Sequence, residues 1–185
     1  MSEADRILWD RRYAERSAML TPALPAVFAD FEWVFPRTGK ALELACGSGA
    51  AAVWLAMRGL DVHGIDVSDV AIEQARSIAR QSGVATRCRF DSVDLDLGLP
   101  PGDAVDLVLC HRFRDRRLDG AIISRLAPGG LLAICALSGV GTAPGRFRVL
   151  PGELRTAFAA LEVVAAGASD KQEWLLARAS PATAT

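Results

Sequence analysis

The stretch Leu42-Glu43-Leu44-Ala45-Cys46-Gly47-Ser48-Gly49 decides the fold of this chain. An apolar run typical of a strand leads into two glycines, and the apolar, helix-forming run 50–57 follows directly. A second short strand, predicted over 61–65, ends on Asp66. Glycines let the backbone come close to a ligand, and an aspartate at the tip of the next strand can accept both hydroxyls of a ribose. The pattern therefore predicts a site for an adenosine-containing cofactor.

The bulk composition favours one domain over residues 1–185. The chain has 185 residues, of which 51% are hydrophobic, enough to cover a central sheet on both faces. Lys and Arg (21) nearly balance Asp and Glu (22), so no global field attracts nucleic acid or an anionic membrane. Charges interrupt the first residues, and no apolar run is long enough to span a bilayer. We expect a cytoplasmic protein with neither a nucleic-acid nor a membrane partner.

Metal binding is not expected from the cysteines and histidines. Four cysteines show no CxxC spacing, and three of them lie in or beside apolar, strand-like runs, which is typical of buried free thiols. His63 and His111 are the only histidines, and neither belongs to a cluster at ligand spacing. His63 falls in the middle of a predicted strand, where a core or sheet-edge role is expected.

Short β-branched runs alternate with longer helical runs, and this order predicts an α/β fold. Two apolar runs, 161–166 and 174–178, are separated by too few residues for a crossover helix, so they should form an antiparallel hairpin. We predict a single-domain, Rossmann-like, seven-stranded, mostly parallel sheet with one antiparallel strand in the C-terminal hairpin and helices on both faces. The expected parts are a helical lid segment (1–36), the core (40–179) and a frayed tail (180–185). The predicted helices are 3–14, 22–33, 50–58, 69–81, 115–125 and 152–159, and the predicted strands are 41–46, 61–65, 86–91, 104–110, 131–136, 161–167 and 173–178.

The glycine pattern leaves two cofactor classes open. Residues 47–52 also fit the GxGxx(G/A) pattern of nicotinamide and flavin dehydrogenases, and Asp66 stands at a suitable distance for either class. Glu43 adds a further observation, because a charged residue in a buried central strand is costly unless it serves a site.

Five motifs in order resemble the class I S-adenosylmethionine-dependent methyltransferases, whose first motif reads (L/V)(D/E)xxCGxG. The first is the stretch 42–49, and Gly64-Ile65-Asp66-Val67-Ser68 resembles the second strand of that superfamily. Asp94-Leu95 resembles its third-strand position, and 105–110 and 126–132 resemble its fourth strand and the turn that opens the fifth. Segments 9–13, 110–116 and 149–154 look most like the small methyltransferases related to the tellurite-resistance enzymes. The resemblance covers roughly residues 5–178.

The resemblance implies a Rossmann-like methyltransferase fold and an enzyme that transfers methyl in line from S-adenosyl-L-methionine, leaving S-adenosyl-L-homocysteine. The implied acceptor is a small molecule, and the implied state is a monomer or homodimer. Two alternatives stay open, namely a non-catalytic S-adenosylmethionine-binding protein and a nicotinamide-dependent oxidoreductase. A dehydrogenase is expected to need further sequence for its nicotinamide and substrate pocket.

The same resemblance assigns roles to individual residues. Glu43 is expected to orient the methionine ammonium and Asp66 to hold the ribose, although Asp66 could instead cap a helix. Asp94 is expected at the adenine amino group, with Asp96 as the alternative. The predicted cofactor-binding residues are Trp9, Arg12 and Tyr13 in the lid, then Glu43, Ala45, Cys46, Gly47, Gly49, Asp66, Val67, Asp94, Leu95 and Cys110. A plain amphipathic helix packed on the core would show the same spacing as the three lid residues.

Residues after the fourth strand are candidates for contact with the methyl acceptor. His111 ends a central strand, where open parallel sheets present their ligands, and it could act as a catalytic base. It could equally pack beside the cofactor or cap the following turn. Four arginines (112, 114, 116 and 117) form a basic cluster, and Arg146 and Arg148 follow in the loop 138–151. These arginines favour an anionic acceptor if they meet over the acceptor, or else form a solvated face.

Overall fold

A computed structural model describes residues 3–15, 21–140, 145 and 147–182. The expected frayed tail lies partly outside these residues, as do Arg146 and residues 16–20 of the expected lid segment. The chain divides into two compact units, Met1–Gly98 and Leu99–Thr185, and each is described by itself. The prediction of one domain over 1–185 stays a prediction.

The first unit contains a parallel sheet of three strands in the order β3-β2-β1. Four of the five residues of β1 are buried, which is typical of a parallel strand covered on both faces. Its strands are β1 (Lys40–Leu44), β2 (Asp61–Asp66) and β3 (Cys88–Ser92), and its helices are α1 (Glu3–Ala14), α2 (Ala50–Met57) and α3 (Asp69–Gln81). Short 3-10 turns cover Ala26–Val34, Ala85–Arg87 and Leu95–Leu97.

The patterning of the sequence explains the helices of this unit. Ser68 caps α3, since its Oγ accepts the backbone N–H of Ala71 at 3.1 Å. The buried face of α3 consists of Ala71, Ile72, Ala75 and Ala79, a spacing that returns to one side of a helix. The helix predicted over 22–33 is wrong in type, because the chain forms 3-10 turns over Ala26–Val34 with non-helical torsions at Phe31.

The second unit contains β4 (Val105–His111), β5 (Leu126–Ser138), β6 (Arg148–Val149), β7 (Glu162–Ala168) and β8 (Gln172–Arg178), with helices α4 (Asp119–Arg125) and α5 (Glu153–Ala157). Strands β4 and β5 are parallel, and β8 pairs antiparallel with both β5 and β7. The predicted hairpin with one reversed strand is therefore confirmed. The two-residue strand β6, parallel to β5, was not predicted, so the described residues contain eight strands where seven were expected.

The turn expected at Pro128-Gly129-Gly130 lies inside β5. The pairing with β4 shifts between Val105 and Leu107, so that Ala127–Gly130 form an irregularity in the ladder. A side chain at Gly130 would place its Cβ 2.8 Å from the carbonyl oxygen of Ala127, so the backbone leaves no room for one. Another correction concerns the helix predicted over 115–125, which begins as a 3-10 turn at Arg116–Leu118.

Candidate functional site

The glycine loop of the first unit starts with a backbone torsion that few residues adopt. Ala45, directly after β1, has φ +50°, and Gly47 and Gly49 have φ +54° and +78°. The N–H of Cys46 still donates to the carbonyl oxygen of Ile65 at 3.0 Å, which keeps the loop attached to β2. The left-handed torsion costs Ala45 about 1–2 kcal/mol relative to the right-handed one, so the surrounding contacts hold the turn in place.

The carboxylate of Asp66 braces this loop from the end of β2. Its Oδ2 accepts the N–H of Gly47 at 2.8 Å and its Oδ1 accepts the N–H of Ser68 at 3.0 Å. Burial raises the pKa of Asp66, and the amide hydrogen bonds, including one from Val67, act in the opposite direction. Because Ser68 itself caps α3, Asp66 is not the helix cap that the sequence left open.

Glu43 presents an unpaired oxygen in the interior. The residue is 4% exposed, and its Oε2 has no hydrogen-bond partner among the residues that the structure describes. Burial raises the pKa of Glu43 to about 8, the amide of Ala52 lowers it, and the charge of Asp66 raises it further. A buried acceptor without a partner is costly, so this group suits a ligand that brings a donor or a positive charge.

Helix α1 is attached to the start of α3 by side chains that the sequence did not single out. Asp10 Oδ1 accepts the Oγ hydroxyl of Ser68 at 2.6 Å and the N–H of Val70 at 3.3 Å. Gln74 donates from Nε2 to the carbonyl oxygen of Tyr13 at 3.0 Å and accepts from the Ser48 hydroxyl at 2.7 Å. No periodicity in the sequence marks Asp10 or Gln74 as partners, because they are 58 and 61 residues from theirs.

The three residues of the predicted lid lie together on α1. The rings of Trp9 and Tyr13 have centroids 5.9 Å apart, and the guanidinium of Arg12 lies 4.9 Å from the Trp9 ring centroid. Tyr13 faces the glycine loop so closely that a Cβ on Gly47 would lie 2.6 Å from the tyrosine hydroxyl oxygen. The structure thus brings Tyr13 to the loop.

Asp94 and Asp96 both follow β3, and a hydrogen bond joins the side chain of the first to the backbone of the second. Asp94 Oδ1 accepts the N–H of Asp96 at 2.8 Å, which caps the 3-10 turn Leu95–Leu97. Leu95, the other predicted adenine contact, is buried. His63 pairs with Asp91 at 2.8 Å in a partly exposed contact between neighbouring strands. Because β2 has β1 on one side and β3 on the other, His63 does not lie at the edge of the sheet, and that part of the expectation is wrong.

In the second unit, His111 is the last residue of β4 and pairs in register with Cys135. Burial lowers the pKa of His111 to about 4, and the charge of Arg112 contributes to this decrease. The imidazole is therefore neutral at neutral pH. Cys110, predicted as a cofactor contact, is buried and its thiol donates to the carbonyl oxygen of Phe113 at 3.3 Å.

Most of the basic cluster is neutralised by carboxylates. Arg114 is 1% exposed and pairs with Asp119 and Glu153. Arg116 pairs with Glu153 at 2.6 Å, and Arg117 pairs with Asp115. Further on, Arg148 donates to the carbonyl oxygen of Ser138 at 2.6 Å. The cluster is therefore mainly an ion-pair network.

Within the described ranges, no group of three or more His, Cys, Asp or Glu residues could hold a metal ion. All four cysteines are free thiols. A search of the described helices for one long and apolar enough to cross a bilayer finds none.

Comparison with known proteins agrees with this arrangement. A family model described as a methyltransferase domain matches residues 41–130. The ribosomal RNA small subunit methyltransferase C of Alcanivorax borkumensis is 33% identical over 110 residues, covering 54% of this chain and 33% of the relative. The ubiquinone biosynthesis O-methyltransferase of Psychrobacter cryohalolentis is 31% identical over 111 residues, covering 57% of this chain and 42% of the relative. The chain thus spans well under half of the length of these relatives.

Two solved structures share the fold over nearly the whole chain. TehB from Haemophilus influenzae aligns with a TM-score of 0.77 at 16% identity, covering 93% of this chain and 67% of that one. DhpI, in its complex with SAH, aligns with a TM-score of 0.68 at 21% identity, covering 97% of each chain. At these identities the likeness shows the fold, a Rossmann-like, mostly parallel sheet with antiparallel strands near the C-terminus and helices around it.

The domain match and the fold together support the class I S-adenosylmethionine-dependent methyltransferases as the class of this protein, and the superfamily and fold predicted from the sequence are confirmed. The match to the model described as a methyltransferase domain runs from β1 into β5. S-adenosylmethionine is the cofactor of the class.

Proposed function

We propose that this protein transfers a methyl group from S-adenosylmethionine to a small-molecule acceptor. The observation that carries the proposal is the unpaired, buried Oε2 of Glu43 in the strand that leads into the glycine loop, with Asp66 bracing that loop from the neighbouring strand. A cationic methionine ammonium would supply the missing partner of Glu43. The two acids at the ends of β1 and β2, together with the backbone amides of the loop, therefore fit the cofactor.

Asp66 retains capacity for the ribose. A carboxylate offers about four lone-pair positions, and the amides of Gly47, Val67 and Ser68 use three at most. The remaining capacity would accept a ribose hydroxyl, while the amides keep the carboxylate in one orientation. Asp94 and Leu95 would contact adenine, and Tyr13 would cover the loop as part of the lid; Asp96 is the alternative partner of the amino group.

When bound, S-adenosylmethionine supplies an electrophilic methyl group on a sulfonium. Transfer is an in-line displacement, so much of the rate comes from the orientation of the acceptor. His111 would contact the acceptor with a neutral imidazole, since its pKa is about 4. Such an imidazole accepts a hydrogen bond from a hydroxyl or thiol and orients it, but it is too weak a base to hold the proton at neutral pH. The proton that the acceptor loses on methylation would therefore pass to water.

A small acceptor is favoured over RNA by the charge distribution. RNA binding requires several unpaired cations along the backbone of the nucleic acid, whereas three of the four clustered arginines are paired with carboxylates. One relative is named an RNA methyltransferase and another an O-methyltransferase of ubiquinone biosynthesis, so both kinds of acceptor belong in the test.

Calorimetric titration of the chain with S-adenosylmethionine, S-adenosylhomocysteine, NAD and NADP tests the cofactor. We expect binding of the two sulfur nucleosides and no binding of the dinucleotides. Binding of a dinucleotide alone would overturn the proposal in favour of an oxidoreductase. Incubation with methyl-labelled S-adenosylmethionine then separates an enzyme, which labels an acceptor, from a protein that binds the cofactor without turnover.

The same proposal includes a single methyltransferase domain over 1–185, a monomeric or homodimeric state and a cytoplasmic location. Size-exclusion chromatography with light scattering measures the oligomeric state, and a single cooperative urea transition is the result expected for one domain.

A further inference from the structure

Arg112 occupies a strained backbone position directly after β4. Its φ is +62°, and among the residues that the structure describes only Ala45 is another non-glycine with positive φ. The N–H of Arg112 donates to the carbonyl oxygen of Cys135 at 2.7 Å, which holds the residue in this torsion. Strain of this kind costs about 1–3 kcal/mol and is concentrated at functional positions. Ala45 begins the glycine loop, and Arg112 begins the corresponding loop after β4.

Arg112 also differs from its neighbours in charge pairing. Arg114, Arg116 and Arg117 each lie within ion-pair distance of a carboxylate. Arg112 is exposed, and no carboxylate in the described part of the chain pairs with its guanidinium. The acids of the cluster, Asp115, Asp119 and Glu153, already serve the other three arginines. A single unpaired guanidinium is therefore left at the end of β4.

The residues beside Arg112 carry no opposing charge. His111 is half-buried and neutral at neutral pH, and burial raises the pKa of the Cys135 thiol to about 12, so that thiol is neutral as well. Phe113 packs against Phe147 with ring centroids 5.3 Å apart. The positive charge of Arg112 acts on both the His111 imidazole and the Cys135 thiol, so these two groups lie near it.

We propose that Arg112 binds a single oxyanion of the methyl acceptor and thereby selects small molecules that carry a carboxylate or a similar oxyanion. This inference rests on the proposed function. A guanidinium pairs with a planar oxyanion through two parallel hydrogen bonds, which fixes orientation as well as charge. One unpaired cation matches one anion rather than a polyphosphate chain.

The test uses methyl-labelled S-adenosylmethionine with a metabolite extract that has been separated by ion exchange into anionic, neutral and cationic fractions, and with an RNA fraction. We expect label in the anionic small-molecule fraction. In Arg112→Gln the labelling at low acceptor concentration should fall about ten-fold or more, the loss expected for one hydrogen-bonded charge pair. The KM for the labelled compound should rise more than kcat falls.

Two further variants separate charge from strain and folding. Arg112→Gly removes the guanidinium but suits a positive φ, so it should fold at least as well as the wild type and lose the same preference. Arg155→Gln removes one exposed charge from α5 of the same unit and should label as the wild type does. Calorimetry with S-adenosylhomocysteine checks that every variant keeps its cofactor site.

Each outcome decides the inference. Label in the neutral, cationic or RNA fraction, or equal labelling by Arg112→Gln and wild type, overturns the role of Arg112 and leaves methyl transfer intact. No label in any fraction despite cofactor binding overturns the proposed enzyme activity, and this inference with it.

Discussion

The backbone N–H of Gly47 donates to Oδ2 of Asp66 at 2.8 Å, across the ends of two neighbouring parallel strands. One carboxylate thus fixes the glycine loop and stands at the tip of β2, where the ribose is proposed to bind. The positions of the loop and of the acid are therefore not independent, and a change in one should alter the other.

Asp66→Asn should weaken binding of S-adenosylhomocysteine about ten-fold or more, because a charged acceptor is lost both to the ligand and to the Gly47 amide. Isothermal titration calorimetry measures this change. Asp61→Asn is the matched control, since Asp61 begins the same strand at its other end and forms an exposed ion pair with Arg87 at 3.0 Å. Equal affinities for Asp66→Asn and wild type would contradict a ribose role.

Substitutions of the two loop glycines should differ in their cost. A Cβ at Gly49 would lie 2.6 Å from the Ala75 Cβ and 3.1 Å from its Cα, and neither atom can move without shifting α3. At Gly47 the closest atom is the tyrosine hydroxyl at the mobile end of Tyr13. We expect Gly49→Ala to lower the free energy of unfolding by more than Gly47→Ala does.

Gly83→Ala provides the reference for that series, because Gly83 has φ +71° and no atom within 4 Å of its Cβ position. It should report the torsional cost alone, about 1 kcal/mol. Urea denaturation of the three variants gives the order, and a loss at Gly49→Ala no larger than at Gly83→Ala would show that α3 yields to the added methyl group.

Glu43 should make the stability of the protein depend on pH. Its pKa is about 8 in the folded state against an ordinary 4.5, so the folded chain holds more protons between these values. The free energy of unfolding should therefore fall as pH rises through this window, by up to about 1.4 kcal/mol per pH unit from this group. Below the ordinary pKa of 4.5, the stabilising contribution of protonated Glu43 is fully present.

Glu43→Gln should remove this dependence, because an amide does not titrate. Urea midpoints between about pH 5 and about pH 8 compare the two proteins. We expect similar stability at the acidic end and a more stable variant at the basic end. Parallel curves across the window would mean that Glu43 is ionised in the folded protein throughout.

Asp10 should control the attachment of α1. Asp10→Ala removes the acceptor of the Ser68 hydroxyl and the Val70 amide, and hydrogen exchange of the α1 amides should then become faster by about five-fold to thirty-fold, corresponding to 1–2 kcal/mol. Glu15→Gln is the control, because Glu15 lies on the same segment and forms an exposed ion pair with Arg11 at 3.1 Å. Unchanged exchange in Asp10→Ala would show that packing alone retains the helix.

The motif 42–49 and the order of strands and helices followed from the sequence, because chain direction, glycine positions and apolar periodicity are local properties. The hairpin was predictable for the same reason, since the linker between its strands is too short for a crossover. Local patterning failed at Ala26–Val34, where the apolar content suggested an α-helix and the chain forms 3-10 turns. It also failed at β6, whose two residues are too few to carry a period.

The sequence by itself determined the class of the protein and the residue types of its cofactor site, because the acids and glycines stand at fixed distances along consecutive strands and loops. Only the tertiary structure decided which charges are neutralised and which polar atoms lack a partner. Glu43 and Arg112 are ordinary acidic and basic residues in the sequence. Within the part of the chain that the structure describes, burial leaves Glu43 with an unpaired oxygen, and ion pairing of its neighbours leaves Arg112 without a carboxylate. Part of the ion pairing depends on a residue distant along the chain, Glu153, which only folding brings to Arg114 and Arg116.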